Sequence, residues 1–275
     1  MDGKVCIVTG ANAGIGKATA VGLAQRGATV VMVCRSEERG QTARQEIIDR
    51  SGSQAVHLLL ADLASQDDIR QLAQSLLDQF AQIHVLINNA AIIPLRRSLS
   101  VDGLELQLAV NHLAPFLLTN LLLDRLKASA PARVITVSSG VHRGATINFD
   151  DLQSERRYHH TDVYAMTKLM NVLFTRELAR RLQGSGVTAY SLHPGVPSTR
   201  LSAHYAGYVG EGRASFADLM RAAQTSIYLA TAPDIENLNG EYFANSRVQS
   251  SASDPAAAQK LWQVSAELTG LTNGG

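Results

Sequence analysis

Cysteine is scarce in this chain, with only Cys6 and Cys34 among 275 residues. That excludes a small fold stapled by disulfides. The two fall in the first and second predicted strands, offset by about three residues or roughly 10 Å, beyond the roughly 7 Å Cα separation a bridge tolerates. Both read as small buried thiols, and without clustered histidines they make no metal site. Excess charge is missing too. Lys and Arg number 25 against 24 Asp and Glu, a formal net charge of +1, so neither nucleic acid nor an anionic membrane is an expected partner. No apolar run approaches the roughly eighteen residues that cross a bilayer; Phe116-Leu117-Leu118-Thr119-Asn120-Leu121-Leu122-Leu123 is short and interrupted by polar groups. The N-terminus enters a strand pattern at once, without a charged segment and long apolar core, so a cytoplasmic protein with no membrane anchor is expected. Internal repeats and low-complexity linkers are absent as well.

What is present is apolar substance with a clear rhythm. A hydrophobic content of 45% supports one large core, and the chain is expected to form a single domain over residues 1–275. Short apolar runs at 5–9, 29–34, 55–60, 84–87, 133–137, 188–192 and, more weakly, 241–244 read as strands, several of them nearly continuous as in parallel strands buried on both faces. Helical spacing fills 17–26, 39–50, 67–80, 104–126 and 163–182, with a further helix-like stretch at 255–268. Strand and helix alternate, which predicts an α/β fold: a doubly wound, Rossmann-type parallel sheet of about seven strands with helices on both faces. Residues 198–223 mix three glycines with Tyr205, Tyr208, Phe216, Leu219 and Met220, and are expected to form a substrate lid between the last two strands.

Ligands of such sheets bind outside the carboxyl ends of the strands, and the unusual residues gather there. Thr9-Gly10-Ala11-Asn12-Ala13-Gly14-Ile15-Gly16 follows the first strand, Arg35 the second, Asp62 the third, Asn88-Asn89-Ala90 the fourth, Ser138-Ser139 the fifth and His193-Pro194-Gly195 the sixth. Glycines let the backbone turn tightly and approach a pyrophosphate, whose charge faces the N-terminus of the next helix. A dinucleotide site preferring NAD usually carries a carboxylate after the second strand, but here Cys34-Arg35-Ser36 offers none until Glu37. A guanidinium there suits a 2′-phosphate, so NADP is the expected cofactor, the alternative being a solvated arginine. Asp62 fits an adenine edge or a plain turn, with Ser65 placed to cap the next helix. Asn111 is an indifferent helix former in an apolar segment.

Tyr164 and Lys168 stand four apart in a helical stretch, which puts a phenol and an ammonium on one face. A phenol's ordinary pKa of about 10 is too high for ready proton transfer, and a nearby cation lowers it. Beside a dinucleotide site, such a pair is a proton donor for carbonyl reduction. An isolated pair of this spacing is more often merely two exposed residues of an amphipathic helix.

Together these marks resemble the short-chain dehydrogenase/reductase family over nearly the whole chain: the glycine turn 9–16, Asn88-Asn89-Ala90-Ala91, Asn111, Ser138-Ser139, Tyr164-Ala165-Met166-Thr167-Lys168 and His193-Pro194-Gly195, in family order and spacing. Residues 151–158 and 171–179 look further like the retinol dehydrogenase branch, near the protochlorophyllide reductases. The resemblance implies an NADP(H)-dependent oxidoreductase interconverting an aldehyde or ketone and its alcohol. Its tetrad would be Asn111, Ser139, Tyr164 and Lys168, with Tyr164 as acid, Lys168 lowering its pKa and holding the nicotinamide ribose, Ser139 polarising the substrate oxygen and Asn111 positioning a water. Contacts to the cofactor are expected from Gly10, Asn12, Ala13, Gly14, Ile15, Gly16, Arg35, Ser36, Asp62, Leu63, Asn89, Ala90, Ala91, Tyr164, Lys168, Pro194, Gly195, Val196 and Thr199. Relatives commonly form dimers or tetramers, so a homo-oligomer is expected. Ala91 stands where the family usually has Gly, and Thr167 where the branch usually has Ser; neither change removes a catalytic group. The substrate edge, read as Ile92, Ile93, Pro94, Leu95, Val141, His142, Leu201, Tyr205, Tyr208, Val209, Phe216 and Met220, is apolar and points to a bulky apolar carbonyl. Rival readings are a non-catalytic dinucleotide sensor or scaffold on the same fold and a sugar-nucleotide epimerase. The intact Tyr164/Lys168 pair speaks against the first, and the glycine spacing against the second.

Overall fold

A computed structural model describes residues 1–207 and 213–271. The chain alternates β1 (Val5–Thr9), α1 (Gly14–Ala24), β2 (Thr29–Cys34), α2 (Glu37–Ser51), β3 (Val56–Leu60), α3 (Gln66–Gln79) and β4 (Val85–Asn88). A broken helical region follows: α4 (Leu106–Leu108), a π-turn (Ala109–Leu113), α5 (Ala114–Leu121) and α6 (Leu123–Ala128). Then come β5 (Ala132–Val137), a 3₁₀ turn (Gly140–Gly144), α7 (His160–Arg181), β6 (Val187–His193), α8 (Arg200–Tyr205), α9 (Phe216–Thr231), β7 (Tyr242–Ala244), β8 (Arg247–Gln249) and α10 (Pro255–Leu268).

The eight strands lie in the order β3-β2-β1-β4-β5-β6-β7-β8, all parallel except the last pair. Side chains alternate between two cores, as the pleat requires. Ile7, Val31 and Val33 meet Leu72 and Leu76 of α3, Leu117 of α5, Phe174 and Leu178 of α7 and Trp262 of α10. Cys6, Val8, Val30 and Met32 meet Leu23 of α1, Ile47 of α2 and Leu229 of α9 on the other face. Each such Leu, Ile or Phe contributes about 1.5–3 kcal/mol on burial. Serines end the loops into two of the helices: Ser36 accepts from the Arg39 amide and Ser65 from the Asp68 amide.

Three expectations need correction. The sheet has eight strands rather than about seven, because β8 folds back antiparallel through Asn245 and Ser246, both at positive φ. Cys6 pairs with Val30, so Cys34 lies four residues ahead of its level rather than three; both thiols are free and buried. The expected helix over 104–126 is interrupted twice. Pro115 has no amide to give the carbonyl four residues back, and the π-turn sits immediately before it. Within the stretch expected as a lid, the residues from Phe216 onward form the start of α9, packed on α1 with Met220 and Ile227 against Ala18 and Ile15. Gly22 makes that packing close, for a Cβ there would stand 2.3 Å from Ile227 Cδ1. Among the described residues, no helix is long and apolar enough to cross a membrane.

Candidate active site

The strand order reverses direction at β1, whose neighbours are β2 and β4, and the crevice above this switch point is where an open α/β sheet takes a ligand. The glycine turn lies at its floor. Gly10 and Gly14 take φ of +67° and +56°, and a Cβ on Gly16 would stand 2.4 Å from the Gly10 carbonyl oxygen. The first turn of α1 carries no acidic residue, and Ala13 at its N-cap offers no capping side chain. Its leading amides, Asn12 and Ile15 beside them, are therefore open to an anionic group. Thr9 Oγ1 accepts from the Asn89 and Ala90 amides, each at 3.0 Å, and Asn89 Nδ2 donates to the Thr9 carbonyl at 2.8 Å. The Asn89 side chain thus ties the end of β4 to the glycine turn. Ala91 leads from there into the loop held by Asn111.

After β6, Pro194 and Gly195, the latter at φ +89°, lead through the exposed Val196 to Thr199. Thr199 caps α8, and its methyl is 3.9 Å from where a Gly14 Cβ would lie, so this loop closes against the glycine turn. At the far end, Arg35 is 69% exposed and reaches Asp62 Oδ2 at 3.5 Å. Asp62 also accepts from the Ala64 amide at 3.0 Å, so it is at once a turn former and the partner of Arg35. Ser36 is occupied as the cap of α2, while Leu63 packs against the core. Tight glycines, uncapped amides and an exposed cation at the end of β2 fit a phosphorylated dinucleotide.

Tyr164 sits in the second turn of α7, buried, with the Tyr205 ring edge-on at 5.8 Å between centroids. Lys168 lies one turn on, fully buried; its Nζ donates to the Val137 carbonyl at 2.9 Å and stands 5.4 Å from the centre of the Tyr164 ring. The two serines divide: Ser138 Oγ donates to the Lys168 carbonyl at 2.7 Å, whereas Ser139 hydrogen-bonds the Tyr164 phenol. Asn111, in the π-turn, accepts from the Ile92 amide at 2.8 Å and donates to the Ile92 carbonyl at 3.0 Å and to Thr167 Oγ1 at 3.3 Å. So Asn111, Ser139, Tyr164 and Lys168 come together from three separate segments: the π-turn, the end of β5 and α7.

Their electrostatics differ from the sequence expectation. Burial raises the Tyr164 pKa, as does neighbouring Tyr205, with the Ser139 hydrogen bond pulling the other way. Burial lowers Lys168 from 10.5 to about 7. Lys168 does not hold the phenol down here. Two groups that share a dry site with no counter-ion are both driven toward their neutral forms.

The apolar edge is partly redrawn. Ile92 is tied to Asn111 and Tyr205 lies on Tyr164, while Leu201 is part-buried on α8. Ile93 is buried, and the Pro94 carbonyl accepts from the Tyr158 hydroxyl at 2.6 Å. Leu95 and Val141 are part-buried. Tyr208 and Val209 lie outside the described residues. Phe216 instead packs under the Arg50 guanidinium, 4.0 Å from its ring centre, and Met220 packs on α1. His142 turns away as well, its Nδ1 on the Ser139 carbonyl at 2.7 Å and its ring 4.6 Å from that of Tyr242. Two buried residues went unremarked in the sequence, His112 and Asn171, although Asn171 continues the α7 face that carries Tyr164 and Lys168. Among the described residues, no three His, Cys, Asp or Glu side chains gather as metal ligands.

Comparison with known proteins agrees with this geometry. Residues 4–206 match the short chain dehydrogenase family. Human retinol dehydrogenase 12 is 47% identical over 285 residues, covering 98% of this chain and 88% of the relative. Human retinol dehydrogenase 13 is 44% identical over 283 residues, covering 98% and 85%. A crystal structure of an uncharacterised protein from Mycobacterium paratuberculosis superposes with a TM-score of 0.79 at 34% identity, covering 98% of this chain and 94% of that one.

Proposed function

The chain belongs to the short-chain dehydrogenase family and resembles its retinol dehydrogenases, and from that premise we propose that it reduces bulky apolar aldehydes or ketones with NADPH, or runs the reverse alcohol oxidation. The observation that carries the reading is the buried Tyr164 phenol, hydrogen-bonded to Ser139 and one helical turn from Lys168. When bound, the reduced nicotinamide supplies the hydride. Tyr164 gives its proton to the carbonyl oxygen as negative charge develops there, and Ser139 holds the same oxygen by a hydrogen bond. A raised phenol pKa keeps the acid protonated at neutral pH, which reduction needs. The phenolate left behind then favours the charged form of Lys168, whose pKa of about 7 lets it take up a proton in answer. Testing the reading takes one screen: NADPH consumption over aldehydes and ketones of graded size, where no turnover of any carbonyl would overturn it.

Substrate size follows from the walls. Ile92, tied to Asn111, and Tyr205, edge-on to Tyr164, set apolar surface beside the tetrad, against which an anionic sugar phosphate would lie poorly compensated. Each buried methylene contributes up to about 0.8 kcal/mol, or roughly fourfold. Catalytic efficiency is expected to climb from acetone-sized to aryl or long-chain carbonyls. A flat or falling series would exclude the apolar site.

Cofactor choice rests on Arg35. Its pairing with Asp62 is long and exposed, worth about 0–1 kcal/mol, so the guanidinium is free to exchange partners. A charge-assisted bond to a 2′-phosphate contributes roughly 1.5–3 kcal/mol, about ten- to a hundredfold. NADPH is expected to be preferred over NADH by that margin, and Arg35→Asp to narrow or reverse the preference. Equal efficiencies with both cofactors in the unmodified protein would reject this role.

A further inference from the structure

Behind the tetrad runs a buried chain of hydrogen bonds that ends on α10. Asn171 Nδ2 donates to the Asn111 carbonyl at 2.9 Å. That carbonyl lies four residues before Pro115, so no helical amide can reach it in the usual way. The His112 ring is enclosed between Phe116 and Phe174, with Nδ1 3.3 Å from Asn171 Oδ1 and Nε2 2.9 Å from Ser265 Oγ. Asn111, His112, Thr167, Asn171 and Ser265 are all at most 1% exposed.

The directions of these bonds can be worked out from their chemistry. A carbonyl only accepts, so the Asn171 face toward Asn111 is the NH₂ group and the face toward His112 is the oxygen. That oxygen also only accepts, so Nδ1 of His112 carries the ring proton. Nε2 is then a lone pair and takes the hydroxyl proton of Ser265. Burial fits a neutral ring, pushing the imidazole down to about 4. Every donor therefore points the same way, from Ser265 through His112 and Asn171 to Asn111. Were the Asn171 amide to flip, two oxygens would face each other at one end and two N–H groups at the other.

We infer that Asn171 and His112 are positioning residues for the reaction: Asn171 fixes the main chain of Asn111 against the helix that carries Tyr164 and Lys168, and His112, braced by Ser265, fixes which way the Asn171 amide faces. Asn111 hands the constraint on, since its side chain holds Ile92 and Thr167, and Thr167 Oγ1 donates to the Tyr164 carbonyl at 2.8 Å. The π-turn, the loop after β4 and the catalytic stretch of α7 are thereby set in one register with α10. This role rests on the proposed carbonyl reduction.

The test compares His112→Asn, His112→Gln and Asn171→Leu with the unmodified protein in steady-state reduction of an aryl aldehyde by NADPH, alongside thermal unfolding. An Asn amide can stand where Nδ1 stood and still donate to Asn171, whereas a Gln amide reaches toward Ser265 and leaves Asn171 without its donor. His112→Asn should keep most of kcat, while His112→Gln and Asn171→Leu should lose about tenfold or more in kcat with KM little changed. The two His112 variants should unfold at similar temperatures, so lost stability would not explain the difference. Equal kcat in the two His112 variants, or an undiminished Asn171→Leu, would overturn the assignment. Imidazole ¹⁵N spectra of the unmodified protein without cofactor add a reading independent of turnover: a neutral Nδ1–H ring is expected at His112, and an Nε2–H or charged ring would also overturn it. If the unmodified protein reduced no carbonyl, the proposed function would fail and this role with it; turnover with unresponsive variants would remove the role alone.

Discussion

Tyr164→Phe is expected to lose about a hundredfold to ten-thousandfold in kcat, the range a positioned general acid contributes, while NADPH binds much as before. The substitution removes one buried oxygen and keeps the ring. That ring packs edge-on to Tyr205 and stands beside Lys168, so its packing survives. What is lost is the transferable proton and the hydrogen bond to Ser139. The Ser139 hydroxyl does not replace it, because its ordinary pKa lies far above that of a phenol and its part is to hold the substrate oxygen. Stability should fall by no more than about 1 kcal/mol, the net worth of one hydrogen bond, so the loss of rate would not be unfolding. Steady-state kinetics with NADPH binding followed by fluorescence would decide it. Retention of more than a few per cent of the unmodified kcat would reject Tyr164 as the acid.

Much of this arrangement could be read in the sequence, for physical reasons that also explain what could not. β1 and β2 are uninterrupted apolar runs because both faces are covered, and their boundaries agree with the runs at 5–9 and 29–34. Tyr164 and Lys168 were visible because helical spacing alone brings them together. β8 escaped because all three of its residues are exposed and no burial pattern marks them; only Asn245 hinted at the turn before it. The break at 109–113 was written in Pro115, which a reading for apolar period passes over. α9 carried its own start signal, a capping box between Ser215 and Asp218, yet its glycine-rich approach made it look like loop. His112, Asn171 and Ser265 could not be joined in advance. They lie on three segments, and only the packing of α10 on α7 brings Ser265 within reach of the imidazole.

The charge state of the site cannot be read from residue types at all, and it leads to the second large effect. Lys168 is an ordinary ammonium in the unfolded chain, at 10.5, but burial lowers it to about 7 in the folded protein. At pH values between those two, the unfolded state binds the proton that the folded state has given up. Stability therefore rises with pH across this window, by about 1.4 kcal/mol per unit, and below about pH 7 the full penalty of burying the ammonium is present. The slope should be cleanest between pH 7 and 9. Below that range, His112, lowered to about 4 by burial, adds its own rise with pH between about 4 and 6.5. Above it, Cys6, raised to about 12, and the raised Tyr164 phenol ionise in the unfolded chain first and work in the opposite sense. Urea unfolding of the cofactor-free protein should thus show a gain of about 2–3 kcal/mol from pH 7 to pH 9. Lys168→Met keeps the length of the side chain and removes the charge, so it should abolish most of that gain and raise stability at pH 7, while turnover falls as far as in Tyr164→Phe. An unchanged slope in Lys168→Met would mean that Lys168 keeps its ammonium in the folded site, and proton uptake at Lys168 would then have no place in the reduction.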